Sequence, residues 1–166
     1  MPDDPHDHNL VDVRQTGEGG AAARRADFAA GVTARTGIDD VVIERLVHEF
    51  YARVRSDPLL GPVFAERITD WTPHLERMRA FWSSVVLMTG RYHGRPMPAH
   101  ATLPITELHF TRWLALFEAT AREICTSTAA EIFIGRAHLI AANLSRAVAI
   151  HQGRIPSTLE RIVGRT

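Results

Sequence analysis

Ile43, Leu46, Val47, Phe50, Tyr51 and Val54 fall at i, i+3, i+4, i+7, i+8 and i+11, the spacing of one helix face. The same period returns in Leu75, Met78, Trp82 and Val85, and again in Phe110, Trp113, Leu114, Phe117, Ala121 and Ile124. It returns once more in Phe133, Ala137, Ile140, Leu144 and Val148. No two-residue alternation competes anywhere, and no internal repeat is visible. A chain with such stripes is constrained to an all-α fold, because each stripe must be buried against another.

Local chemistry sets the expected helix ends. Pro58 and the run Leu59-Leu60-Gly61-Pro62 stop the first helix, which begins near Asp39. Asp70 caps the second, with Pro73 in its first turn where a missing N–H does no harm, and Gly90 ends it. Thr106 caps the third, and Thr126-Ser127-Thr128 breaks it. Thr128 and Glu131 have capping-box spacing for the fourth, which Gly153 and Pro156 close. Between the second and third, Gly94, Pro96, Pro98 and Pro104 make the stretch from Gly90 to Pro104 a loop with one helical turn. Residues 1 to about 35 are rich in Asp, Gly, Ala and Arg and poor in large apolar side chains, so they read as a mobile tail. Within it, Ala21 to Ala30 forms at most a weak, transient helix. Beyond Gly153, residues 154–166 read as a tail or a short amphipathic helix carrying Ile155, Leu159, Ile162 and Val163.

Charge and composition exclude several classes of function. Nineteen basic residues, all arginine, are interspersed among nineteen acids, so the one-sided basic footprint of a nucleic-acid binder is missing. The longest apolar run is far shorter than the roughly 20 residues a membrane span needs. The start of the chain is acidic and lacks an apolar leader, and Cys125 has no second cysteine to pair with. A cytoplasmic, reduced protein of one domain is the expectation.

Four polar side chains stand out. His100 lies between Pro98 and Pro104, where a restrained backbone can aim an imidazole into the core, as an axial ligand of haem iron must be aimed. A loop histidine in this position is more often simply solvated. His74 sits on the apolar face of its helix, one turn before Met78, where a boundary histidine bonded to a neighbour is the plainer reading. Tyr51 and Trp113 lie on inner faces of two other helices, where packing alone explains most such residues. Together they say more: each buried polar group left unpaired costs roughly 1–3 kcal/mol, so a core holding four of them implies something polar at its centre. The other candidates are weaker. His6-Asp7-His8 offers a metal no fixed geometry; His48, His138 and His151 read as surface groups; no nucleophile arrangement surrounds Cys125, and no phosphate-cradling glycine loop occurs.

In order and spacing, a series of short runs resembles the third group of the truncated haemoglobins. The runs are Phe50-Tyr51; Leu60-Gly61-Pro62-Val63-Phe64; Trp71 with His74; Phe81-Trp82; Tyr92-His93-Gly94-Arg95-Pro96; His100 through Leu103-Pro104; Phe110 with Trp113-Leu114 and Leu116-Phe117; and Arg136-Ala137. They cover about residues 38–153. The resemblance implies a truncated globin domain over 36–153, a two-over-two helical sandwich around a b-type haem, with the proximal helix reduced to a loop and a short turn. It implies His100 as the iron ligand, Tyr51, His74 and Trp113 around the bound ligand, and Phe50, Phe64 and Phe81 around the porphyrin. Arg95, Arg91 and Tyr92 are the candidate partners of the haem propionates. The implied ligand is dioxygen or another diatomic molecule, and a reductase is a candidate partner. The same donors would suit a peroxidase-like or nitric-oxide-detoxifying enzyme, which turnover would distinguish. A haem-free helical interaction module is the third reading, and a purified protein without a Soret band would favour it.

Overall fold

The structure is a computed structural model and describes residues 13–154. Seven helices account for nearly all of it: α1 (Val13–Thr36), α2 (Asp40–Ser56), α3 (Leu60–Ala65), α4 (Trp71–Leu87), α5 (Pro96–Ala101), α6 (Glu107–Ile124) and α7 (Ser127–His151). No strand occurs among the described residues. Helices α2 and α4 form one pair and α6 and α7 the other; α2 packs across α6 and α4 touches α7, giving the two-over-two sandwich.

Three helix starts follow from local chemistry. Asp39 accepts the Val42 N–H at 2.8 Å, and Asp70 accepts the Thr72 N–H at 3.0 Å, each satisfying an orphan donor of the first turn. At Thr106 the cap is reciprocal, because His109 Nδ1 accepts the Thr106 N–H at 3.1 Å. Between the pairs, Ile43, Leu46, Val47, Phe50, Trp82, Phe117 and Phe133 form a core from which water is excluded.

Several expectations are corrected. The mobile tail expected through residue 35 is instead helix α1 from Val13 onward, with residues 1–12 outside the described part. Its last turns dock: Val32 is buried, Ala29 packs on the core, and Thr33 Oγ1 donates to the Ile38 carbonyl at 2.6 Å. Tertiary contact stabilises what propensity alone leaves marginal. The Leu59–Pro62 run does not only stop α2; it opens the short helix α3, which Gly61 lets press against the end of α2. A Cβ at Gly61 would come within 2.8 Å of the Arg55 carbonyl oxygen. Helix α7 starts two residues earlier than its capping-box spacing suggests: Thr126 Oγ1 accepts the Ala129 N–H, and Glu131 is instead paired with Arg122 at 2.6 Å. Helix α4 ends before Gly90, with Met88 in the left-handed region at φ 54°. Ile155, Leu159, Ile162, Val163 and the His6-Asp7-His8 run lie outside the described residues.

Candidate functional site

A cavity of about 390 Å³ opens beside the core, walled by α2, α3, α4, α5, α6 and α7. Most of its surface is apolar, from Leu60, Val63, Phe64, Met78, Phe81, Leu103, Ile105, Phe110, Ile140 and Leu144. Into it the fold brings the four polar side chains singled out above: Tyr51 from α2, His74 from α4, His100 from α5 and Trp113 from α6.

His100 is fixed by its own short helix. Its Nδ1 lies 2.7 Å from the Pro96 carbonyl oxygen, one turn back. A carbonyl can only accept, so Nδ1 carries the proton and donates; Nε2 is left with a free lone pair, the tautomer a metal-ligating histidine needs. Pro96 at the first turn of α5 lacks an N–H that the helix would not use, so the same residue starts the turn and orients the ring.

On another part of the wall, His74 packs edge-on against Tyr51 at 5.0 Å and Trp71 at 5.6 Å between ring centroids. Its Nε2 is the one buried side-chain polar atom without a hydrogen-bond partner among the described residues. Burial above all, and then the charge of Arg77, push its pKa down to about 4, so the imidazole is neutral near pH 7. Burial also holds the Tyr51 phenol well above its ordinary range, keeping the hydroxyl protonated and able to donate. Tyr51 is braced by Phe50 at 5.0 Å and Phe64 at 5.9 Å. Trp113 stacks on Phe117 at 5.3 Å and 9°, and Phe117 on Trp82 at 4.8 Å and 18°.

Three expected residues are not on this wall. Phe50 is fully buried behind it, edge-on to Tyr51, Trp113 and Phe117, so it supports the wall without lining it. Arg91 is engaged with Asp40 at 2.9 Å, tying the loop after α4 to the start of α2. Arg95 precedes α5 at its N-cap position, without a side-chain capping bond, and is exposed. Phe64, Phe81 and Tyr92 do line the cavity; Tyr92 packs edge-on to Phe81 at 5.1 Å, and its ring lies where a Cβ at Gly94 would be. Arg67 and Arg77 are the arginines that line it, and His109 lines it as well. Arg77 was findable, being one turn beyond His74 on α4; Arg67, in the loop after α3, carries no sequence signal. Outside the cavity, His48 and His151 are exposed and His138 bonds Glu118 at 2.7 Å, in keeping with surface roles. Burial pushes the Cys125 thiol up, with the charge of Arg45 a partial offset, so it is a poor nucleophile.

Residues 35–145, more than half of the chain, match the family model described as bacterial-like globin. A group 3 truncated haemoglobin of Campylobacter jejuni is 32% identical over 111 residues, covering 64% of this chain and 87% of that protein. The crystal structure of the group III truncated haemoglobin from Campylobacter jejuni superposes with a TM-score of 0.64 and 31% identity, over 67% of this chain and 91% of that one. The chain is a truncated haemoglobin of the third group.

The structure of a truncated oxygen-avid haemoglobin from Bacillus subtilis is also similar, with a TM-score of 0.56 and 27% identity over 65% of this globin and 94% of that chain. Membership brings with it ligand binding at haem as the general function. The cavity of this globin suits that cofactor: its walls are apolar, a histidine there has Nε2 free of intramolecular bonding, and a second histidine holds a buried nitrogen with no protein partner. Among the described residues no helix is long and apolar enough to cross a membrane.

Proposed function

We propose that His100 Nε2 binds the iron of a b-type haem in this cavity and that Tyr51, Trp113 and His74 bind dioxygen or another diatomic ligand beside it. The observation that carries the reading is the 2.7 Å bond from His100 Nδ1–H to the Pro96 carbonyl, which frees Nε2 and fixes its direction. A haem held there by His100 would supply a redox-active iron able to bind a diatomic ligand. The chain does the rest. Tyr51 donates from a hydroxyl that burial keeps protonated, and Trp113 donates from its indole N–H. His74 remains neutral and can accept or donate at its unpartnered Nε2.

At the rim, Arg67 and Arg77 are the cations for the porphyrin carboxylates. His109 joins them with Nε2–H, since its Nδ1 must stay unprotonated to accept the Thr106 N–H. The globin domain spans residues 36–153, with α1 as an N-terminal addition. A reducing, cytoplasmic setting and an electron donor of the reductase class complete the reading.

Absorption spectra of the ferric, ferrous and carbon monoxide forms test it, together with His100→Ala. The variant is expected to lose haem, or to hold it weakly in a way that added imidazole partly restores. Unchanged ferrous and carbon monoxide spectra in His100→Ala would refute the assignment.

A further inference from the structure

Asp57 is an ion at the meeting point of three helices. Its side chain is only 2% exposed, whereas that of its partner Arg112 is 46% exposed. One carboxylate oxygen, Oδ1, accepts the N–H groups of Leu59 at 3.0 Å and Leu60 at 2.9 Å, the first turn of α3. The other, Oδ2, accepts from Arg112 Nε on α6 at 2.7 Å. The backbone of the same residue closes α2, its N–H donating to the Val54 carbonyl, and receives α3, its carbonyl accepting the Gly61 N–H at 2.8 Å.

Those three helices supply one side of the cavity. Tyr51 comes from α2, less than two turns before Asp57; Leu60, Val63 and Phe64 come from α3; Trp113 comes from α6, directly after Arg112. A neutral Ser, Thr or Asn would satisfy the amides that open α3. A buried carboxylate adds a charge that must be matched, and among the described residues the matching cation is Arg112, reaching across from α6. The ion pair therefore ties α6 to the junction of α2 and α3, beside the packing of Phe50 on Trp113 and Phe117.

We propose that Asp57 and Arg112 are positioning residues that hold Tyr51 and Trp113 at the spacing required to retain the bound ligand. The inference rests on the reading of those two side chains as ligand donors. A second ion pair provides the comparison: Arg53 and Glu123 also join α2 to α6, at 2.6 Å, but with side chains 31% and 65% exposed and no bond to α3.

The experiment uses the full, haem-loaded chain and reads two properties of the donors, the C–O stretch of the carbon monoxide form and the escape rate of dioxygen. Urea unfolding reads stability separately. Arg112→Ala is expected to move the C–O band in the direction seen for Tyr51→Phe and to speed dioxygen escape about twofold to thirtyfold, the range of coupling through a packed network. Arg53→Ala is expected to change neither. Arg112→Lys keeps the charge but loses the Nε–H, so a partial shift is expected; it decides the question should Arg112→Ala fail to fold. Reduced stability with an unchanged band and unchanged escape would show that the pair is an anchor and overturn the proposal, as would an equal effect of Arg53→Ala. A Tyr51→Phe variant without a band shift would overturn the donor reading itself, and this inference with it.

Discussion

Removing the Tyr51 hydroxyl separates a hydrogen bond from packing more cleanly than any other single change in this cavity. The ring of Tyr51 is held edge-on by Phe50, Phe64 and His74 at 5.0, 5.9 and 5.0 Å, and Tyr51→Phe keeps all three contacts. The residue is 6% exposed, and burial keeps its phenol protonated, so the wild-type hydroxyl is a donor throughout the working pH range. A hydrogen bond to a partly charged acceptor contributes about 1.5–3 kcal/mol, which corresponds to roughly tenfold to a hundredfold in dissociation rate. Stopped-flow displacement of dioxygen from the ferrous protein should show that acceleration. Carbon monoxide draws less negative charge than dioxygen, so its escape should change less; a steric gate would alter both alike. Global stability should move by less than about 1 kcal/mol, since no packed atom other than the hydroxyl oxygen is lost. Trp113→Phe should act in the same direction, and non-additivity in the double variant would indicate a shared network. Equal dioxygen escape rates in wild type, both single variants and the double variant would refute the reasoning and leave the two residues as packing.

Three further outcomes are expected. Burial tends to raise the Asp57 pKa, but the bonds from Leu60, Arg112 and Leu59 together with the charge of Arg112 outweigh it and hold the carboxyl below its ordinary value. The stability it contributes is thus present above the unfolded value of about 3.9 and lost as pH falls through the folded value, so the deficit of Asp57→Asn in urea melts should be largest near pH 7 and shrink in acid. A chain starting at Thr36 discards Val32, whose burial is worth about 1.5–3 kcal/mol, and should melt measurably lower by calorimetry, whereas a chain starting at Asp27 should melt close to wild type. Gly61→Ala places a Cβ 2.8 Å from a backbone oxygen that cannot swing aside, and should cost about 1–3 kcal/mol in chemical denaturation.

What the sequence made legible depended on whether the deciding contact was local. Asp39, Asp70 and Thr106 cap the helices they precede because the acceptor or donor lies two or three residues away. Thr126 and Thr128 both offer a hydroxyl at helical spacing; Thr126 also donates to the Thr36 carbonyl at 3.2 Å, a partner ninety residues away that no local rule anticipates. Helix α1 was obscured for the same reason, since the residues it docks on lie in later helices. At the site, Tyr51, His74 and Trp113 were visible as polar groups on apolar helix faces, and His100 as a histidine in a proline-braced segment. Phe50, which the resemblance assigns to the porphyrin, stands behind the cavity wall, and a helical stripe does not distinguish a wall from the layer behind it. Arg67 was hidden by the even spread of arginine along the chain, whereas Arg77 could have been found from its place one turn beyond His74.

The three near-parallel rings of Trp113, Phe117 and Trp82 have a mechanical consequence. Both outer rings touch the cavity, while the middle one is sealed in the interior. Interiors packed at this density compress little, so pressure on Trp113 passes through Phe117 to Trp82 and into the helix that carries His74. The three rings then respond as one stiff stack joining α4 to α6, instead of as separate side chains that yield one at a time. A substitution that displaces one outer ring is therefore expected to displace the other, and with it a second part of the cavity wall.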